Sequence, residues 1–215
     1  MIKYLYFDAA NTLIYKPLLI PKIQEVLNSY NLKVSEEKLI KEHKFLSEEI
    51  SFPDRTNESF YIKFNKLLLE KLSLIANEKI AKEIFYNCKN LPWYVYPDVK
   101  NLNQLNLPIG IISNFNSQLN NLLNSLVKFK FDKIIISEEQ KFRKPEKDFY
   151  KLAIEKSGYD PCKILYIGDS IKLDIEPTRL LGIKSYLIDR ENLYTDYEFR
   201  INSLSQISSL IENEK

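Results

Sequence analysis

The stretch IKYLYFDAANTLIYKP, Ile2 to Pro17, runs apolar and aromatic into a single carboxylate, Asp8, and then into the small polar residues Asn11 and Thr12. A carboxylate at the end of a buried strand is costly to desolvate, so it needs a partner or a task. Further apolar runs end the same way: PIGIIS at Ser113 with Asn114, KIIIS at Ser137, and KILYIGD at Asp169 with Ser170. A basic loop, QKFRKPEK, follows Ser137 and carries Lys144. Two acids, a hydroxyl with an amide, and a lysine are groups of the kind that serve as nucleophile, metal ligand and anion binder.

Taken singly, each has a bland reading. A strand-end Asp is commonly a turn former, Ser and Asn after a strand commonly cap the next helix, and a run of lysines is commonly a solvated loop. Order and spacing along one α/β pattern are what single them out. In an open parallel sheet, ligands bind outside the carboxyl ends of the strands, which would bring all of these groups to one rim.

The elements that must position them are legible as continuous apolar runs, Ile2–Phe7, Pro108–Ser113, Lys133–Ser137, Lys163–Asp169 and Lys184–Asp189, of the sort that a parallel sheet covers on both faces. Helical periods fall between them at Ser117–Leu126, Asp148–Ser157 and Leu173–Leu181, so strand and helix alternate as in a doubly wound α/β fold. Residues 15–96 break that rhythm. Apolar positions recur there at helical spacing with no strand needed: Ile20, Ile23, Leu27, Tyr30; Leu39, Ile40, His43, Leu46, Ile50; Phe60, Phe64, Leu67, Leu68, Leu72; Ile80, Ile84, Cys88. Ser35 ahead of Glu36 and Glu37 is a helix start. The expected architecture is therefore a Rossmann-like core, residues 1–14 with 97–215, and an all-helical insertion over 15–96. The last stretch, NSLSQISSLIENEK, reads as a surface helix that frays.

The set resembles the four motifs of the haloacid dehalogenase (HAD) superfamily. FDAANTL is similar to the first, GIISN to the second, Lys144-Pro145 to the third and IGDSIKLD to the fourth, with a helical cap inserted between the first two and a YPDV element ahead of the second. The resemblance covers essentially the whole chain. It implies that Asp8 is a nucleophile forming a covalent aspartyl intermediate, that Lys144 and a bound cation offset the charge of a phosphoryl group, and that Thr12, Ser113, Asn114 and the amides of the following helix start bind the substrate. It also implies Mg²⁺ held by Asp8, Asp169 and the backbone carbonyl of Ala10, with Asp174 as a further ligand or as an anchor behind the site. The cap is expected to gate the site by opening and closing.

The chain departs from the pattern at three positions. Ala10 stands where the family's phosphatases carry a second Asp, the general acid and base, a group worth about 10²–10⁴ in rate. Asn11 replaces a usual Gly, which Asn tolerates through its access to left-handed backbone. Lys141 replaces another. Three functions are compatible: a Mg²⁺-dependent hydrolase of a small phosphorylated molecule, a C–halogen hydrolase, whose halide leaves without a proton, and a catalytically impaired binding protein. Retained Asp169 and Asp174 favour the first, because the dehalogenases lose the Gly-Asp of the fourth motif. The phosphonate hydrolases use a cap lysine as a Schiff base, and no match to their cap motif surrounds Lys38, Lys41 or Lys44. His43, the sole histidine, falls on an apolar helical stripe, where a core role is commoner than catalysis, although it could replace the missing acid. Asp54 and Arg55 are candidates for substrate selection or a solvated turn.

Composition narrows the partners. The net charge of +2, from 31 basic and 29 acidic residues spread along 215 positions, gives no footprint for nucleic acid. No apolar run approaches the ~20 residues of a membrane span, and no leader pattern precedes the first strand, so the expectation is a cytoplasmic monomer or homodimer. Cys88 and Cys162 form no metal spacing and read as small buried hydrophobes.

Overall fold

The structure is a computed structural model that describes residues 1–213; Glu214 and Lys215, the end of the expected terminal helix, lie outside the described residues. The chain divides into two compact units, Met1–Tyr15 with the chain from Val95 on, and Lys16–Tyr94.

The first unit is a parallel sheet flanked by helices, the α/β Rossmann-like fold. Its strands are β1 (Tyr4–Phe7), β4 (Ile109–Ser113), β5 (Lys133–Ile136), β6 (Ile164–Gly168), β7 (Lys184–Ile188) and β8 (Arg200–Ile201), in the order β5-β4-β1-β6-β7-β8. Every neighbouring pair is parallel. Strand β1 is central, paired through Tyr6 with Gly110 on one side and Tyr166 on the other. Its four residues are all buried, which explains why it reads as an unbroken apolar run rather than an alternation. The chain steps outward from β1 through β4 to β5 and then crosses back to β6, so the order reverses at β1 and opens a crevice beyond its carboxyl end.

Aromatic packing fixes one face of the sheet. Tyr4, Tyr6 and Tyr166 share a buried cluster with Phe149, Tyr150 and Ala153 of α6 (Lys147–Ser157). The Tyr6 hydroxyl donates to the Ala153 carbonyl at 2.9 Å. Gly110 makes room for this ring: a Cβ there would sit 2.4 Å from the Tyr6 side chain.

The second unit holds α1 (Leu19–Ser29), α2 (Glu36–Glu49), α3 (Glu58–Lys71) and α4 (Glu78–Cys88). Their apolar stripes meet in one cluster that includes Ile23, Leu27, Leu39, Phe64, Leu68 and Ile84. Each start after the first is capped by a side-chain oxygen, Ser35 on the Lys38 amide, Asn57 on Phe60, and Asn77 on Lys79 and Ile80. Asp54 is half-buried and Arg55 exposed in the loop between α2 and α3.

Several local expectations need correction. Two short strands, β2 (Ile14–Tyr15) and β3 (Tyr94–Val95), form a separate two-stranded sheet where none was expected; two residues are too few to show alternation. The helix expected over Leu173–Leu181 is instead a π turn, Ile171–Ile175, followed by one helical turn, α7 (Glu176–Arg179). Helix α5 begins at Leu119 rather than Ser117 and runs to Leu126. Cys88 is half-buried, but Cys162 is exposed, in the 3₁₀ turn Pro161–Lys163. The terminal stretch holds a 3₁₀ turn, Leu204–Gln206, before α8 (Ile207–Asn213). Among the described residues no helix is long and apolar enough to cross a membrane.

His43 packs edge-on against Phe64, 5.3 Å between ring centres. Burial, aided by the neighbouring Lys44 charge, lowers its pKa to about 4. The side chain is therefore neutral at neutral pH and unsuited to donate a proton. An unfolded histidine takes up its proton near pH 6.5, so the stability that neutral His43 contributes is present above that pH and declines as pH falls toward about 4. The expected loss is up to about 3 kcal/mol. It should appear as a fall in the urea midpoint between about pH 7.5 and about pH 4.5 that is smaller in His43→Gln; equal falls would show that His43 titrates normally.

Candidate active site

Strand β1 ends one residue before Asp8, whose amide still donates to the Ile167 carbonyl of β6 at 2.9 Å. The chain then reverses. Leu13 and Ile14 donate their amides to Ala9, Asn11 donates its own to Ile14, and Asn11 itself adopts a left-handed φ of 57°. That conformation is why Gly is the usual residue here and why Asn serves. The reversal aims the Asn11 side-chain amide at Asp169 Oδ2, 3.3 Å away.

Asp8 is buried, 6% exposed as a residue. Its Oδ1 accepts from Lys144 Nζ at 2.6 Å and from Ser113 Oγ at 3.3 Å; Ser113 is the last residue of β4. Lys144 Nζ, itself buried, donates equally closely to Asp174 Oδ1, again 2.6 Å. Asp174 is in turn held by the Tyr166 hydroxyl at 2.6 Å and, through Oδ2, by the Ser170 amide at 3.1 Å. Ser170 Oγ caps the π turn by accepting from Leu173 N, and the Tyr150 hydroxyl donates to the Leu173 carbonyl. The π turn thus swings Asp174 under the end of β6, where Gly168 leaves the space: a Cβ at 168 would lie 2.4 Å from Asp174 Cγ.

Lys144 is placed by its own backbone. Its amide donates to Asn114 Oδ1 at 2.8 Å and its carbonyl accepts from Asn114 Nδ2 at 3.0 Å, so β4 and the basic loop are tied by a reciprocal pair. The Asn114 side-chain amide is therefore engaged in locating Lys144. The expected phosphate-binding helix start is likewise occupied. Phe115 N donates to Ser137 Oγ, Ser117 N to Glu138 Oε2 and Gln118 N to Asn116 Oδ1. Ser113 Oγ is the group of that motif that reaches Asp8. Thr12 is fully buried, and its hydroxyl has no hydrogen-bond partner among the described residues. Ala10 presents only a methyl group and a backbone that bridges to Ile14.

Two buried carboxylates, Asp8 and Asp174, share the one buried lysine, and the charge of Asp169 also acts on Asp8. Burial pushes Asp8 up to about 7, against the Lys144 charge that lowers it and with the Asp174 and Asp169 charges that raise it further. Burial alone would lower Lys144, but Asp174 and Asp8 together hold it raised and protonated. A pocket so short of positive charge suits a small cation. Among the described residues no three His, Cys, Asp or Glu side chains gather around one point, so a cation beside Asp8 and Asp169 would draw its other ligands from backbone, water and substrate. That is the habit of Mg²⁺. Both Asp174 oxygens accept hydrogen bonds, from Lys144 and Tyr166 on Oδ1 and from the Ser170 amide on Oδ2, so that Asp174 anchors Lys144.

A model of the haloacid dehalogenase-like hydrolase family matches residues 2–182. The chain belongs to that family. Among curated proteins, it is 30% identical over 123 residues to the haloacid dehalogenase-like hydrolase domain-containing protein 3 of Danio rerio, covering 54% of this chain and 50% of that one. It is 34% identical over 92 residues to the glyceraldehyde 3-phosphate phosphatase of Methanocaldococcus jannaschii, covering 40% of each. The chain spans half the length or less of these relatives. Among solved structures, the HAD hydrolase YfnB of Bacillus subtilis, crystallised with magnesium, is 17% identical with a TM-score of 0.68 over 98% of this chain and 99% of that one. The 2-haloacid dehalogenase of Pseudomonas syringae is 20% identical with a TM-score of 0.62 over the whole of both chains. At these identities the structural likeness shows the fold.

The close approach of β6 to Asp174 is testable. Gly168→Ala forces the acid away from Lys144, so it should lower stability by about 1–3 kcal/mol through overpacking. Urea denaturation measures this, and an unchanged midpoint would show that Asp174 is not seated beneath Gly168.

Proposed function

We propose that the chain is a Mg²⁺-dependent phosphohydrolase that acts on a small phosphorylated molecule through a covalent aspartyl-phosphate on Asp8. The observation that carries this reading is the bonding of Asp8: Oδ1 is fixed by Lys144 and Ser113 while Oδ2 carries no hydrogen bond among the described residues. Oδ2 is the nucleophile. It forms the bond to phosphorus as the bond from phosphorus to the leaving oxygen breaks, and that oxygen takes the electron pair. Lys144 and Ser113 orient the carboxylate and stabilise charge on the phosphoryl oxygens. Water then attacks phosphorus, the bond to Asp8 breaks, and phosphate leaves. Mg²⁺, when bound by Asp8, Asp169 and the Ala10 carbonyl, supplies charge neutralisation that lets two anions meet.

Residue 10 has no proton to give, so the leaving oxygen departs unprotonated or takes its proton from water or from the substrate itself. This favours substrates with acidic leaving groups. The phosphatase name borne by the M. jannaschii relative supports phosphoryl transfer. The absent acid is also the feature that favours a second reading, C–halogen hydrolysis at the same Asp8. Asp169, which halide displacement does not need, weighs against it.

Release of phosphate from 4-nitrophenyl phosphate should require Mg²⁺ and vanish in Asp8→Asn. Ala10→Asp should raise turnover of alkyl phosphates by about 10²–10⁴ while affecting the aryl ester less. Chloride release from 2-chloropropionate without Mg²⁺, and none of phosphate, would select the second reading. Inactivity on both would point to a binding protein.

A further inference from the structure

A second, half-buried ion pair in the same unit takes no part in the chemistry above. Arg190, two residues past β7, grips Asp98 with both ends of its fork, Nη1 to Oδ2 at 2.9 Å and Nη2 to Oδ1 at 3.1 Å. Nη2 also donates to the Thr12 carbonyl at 2.7 Å. The side chains are only 12% and 16% exposed. The guanidinium lies 3.7 Å over the ring of Tyr96, which stacks on Tyr15 with 4.1 Å between centres and 11° between planes. Tyr96 N donates to the Leu13 carbonyl at 2.9 Å. Asp98 is fixed from the far side by Ser203 Oγ and Leu204 N, each 2.9 Å from Oδ2.

Three segments distant in sequence therefore meet on one guanidinium, and one of them is the reversal that follows Asp8. That loop is held on its inner side by Asn11 reaching Asp169. On its outer side it is held through two successive carbonyls, Thr12 by Arg190 and Leu13 by Tyr96. A flat fork of donors can serve a carboxylate and a carbonyl at once while stacking on an aromatic face, whereas an ammonium group cannot.

We propose that Arg190 is a positioning residue for the reaction at Asp8. By fixing the carbonyl of Thr12 it holds the loop in the shape that brings Asn11 to Asp169. It touches no reacting atom. The kinetic consequence rests on the phosphohydrolase reading, but the effect on the loop does not.

The test uses the full chain and compares Arg190→Met and Arg190→Lys with Ser203→Ala, which removes a bond from Asp98 and leaves Thr12 gripped. Hydrogen exchange is followed at the Leu13 and Ile14 amides, both bonded to Ala9, and at Ile111 and Ile167 in the sheet. The expected result is exchange at 13 and 14 accelerated about tenfold or more in Arg190→Met, as for the loss of one charge-assisted bond, with the sheet amides little changed. Arg190→Lys keeps the charge beside Asp98 and should stay folded if the Met variant does not, yet it should still loosen the loop because it cannot reach both acceptors. Ser203→Ala should leave the loop amides as in the parent. On 4-nitrophenyl phosphate, kcat should fall about tenfold or more in the Arg190 variants with KM nearly constant. Exchange at 13 and 14 that merely tracks the sheet amides in both Arg190 variants would overturn the proposal, as would an unaltered kcat. If the parent protein turns over no phosphate ester, the phosphohydrolase reading fails and the exchange data alone decide whether Arg190 shapes the loop.

Discussion

A protonated lysine clamped between two buried carboxylates is the constraint on which the candidate site depends. None of the three charges could lie this deep alone, because removing one partner of such a set strands the others at a cost on the order of 3–5 kcal/mol. Much of the local structure exists to bring them together. Asn114 delivers the Lys144 backbone, the π turn delivers Asp174, Gly168 clears the space, and Tyr166 completes the bonding of the acid. Asp8 is left with one oxygen fixed and its charge only partly balanced. Lys144 thus both orients the proposed nucleophile and leaves the pocket in want of a cation.

The sheet order makes this meeting possible. Strand order reverses at β1, so the loops after β1, β4 and β6 open onto one crevice, and the acids of β1 and β6 come from adjacent strands. The separations are large: Ser113 lies 105 residues and Lys144 136 residues beyond Asp8. Register rather than proximity in the chain juxtaposes them, and a slip by one residue on β1 would turn Asp8 to the opposite face of the sheet.

What could be read from the sequence was whatever leaves a local trace. Central strands show as unbroken apolar runs, the four helices of the second unit as stripes, and Ser35 as a cap ahead of two acids. The motif residues were legible because their order is a family pattern. Features set by distant partners were not. The π turn stands in place of an ordinary helix where Asp174 is held by Lys144, 30 residues away, and by the hydroxyl of Tyr166 from the preceding strand, pairings that apolar periodicity does not register. The amides after Asn114 look free in sequence but are occupied by Ser137 and Glu138 from the end of β5. Arg190 and Asp98, 92 residues apart, carry no signal beyond being charged. A two-residue strand such as β8 has no period to detect.

The placement of the helical unit bears on how the protein assembles. Its insertion directly after β1 and the reversal means that the central strand of the sheet has no neighbour until the chain has passed through four helices, and gains its second only at β6. The four helices share one apolar cluster drawn from a single continuous stretch of chain and can organise early, whereas closing a long loop to seat a parallel strand is slow. The strand that carries the proposed nucleophile is accordingly among the last to be sheltered, and its unpaired edges are the segment most in need of protection from association while the polypeptide is still folding.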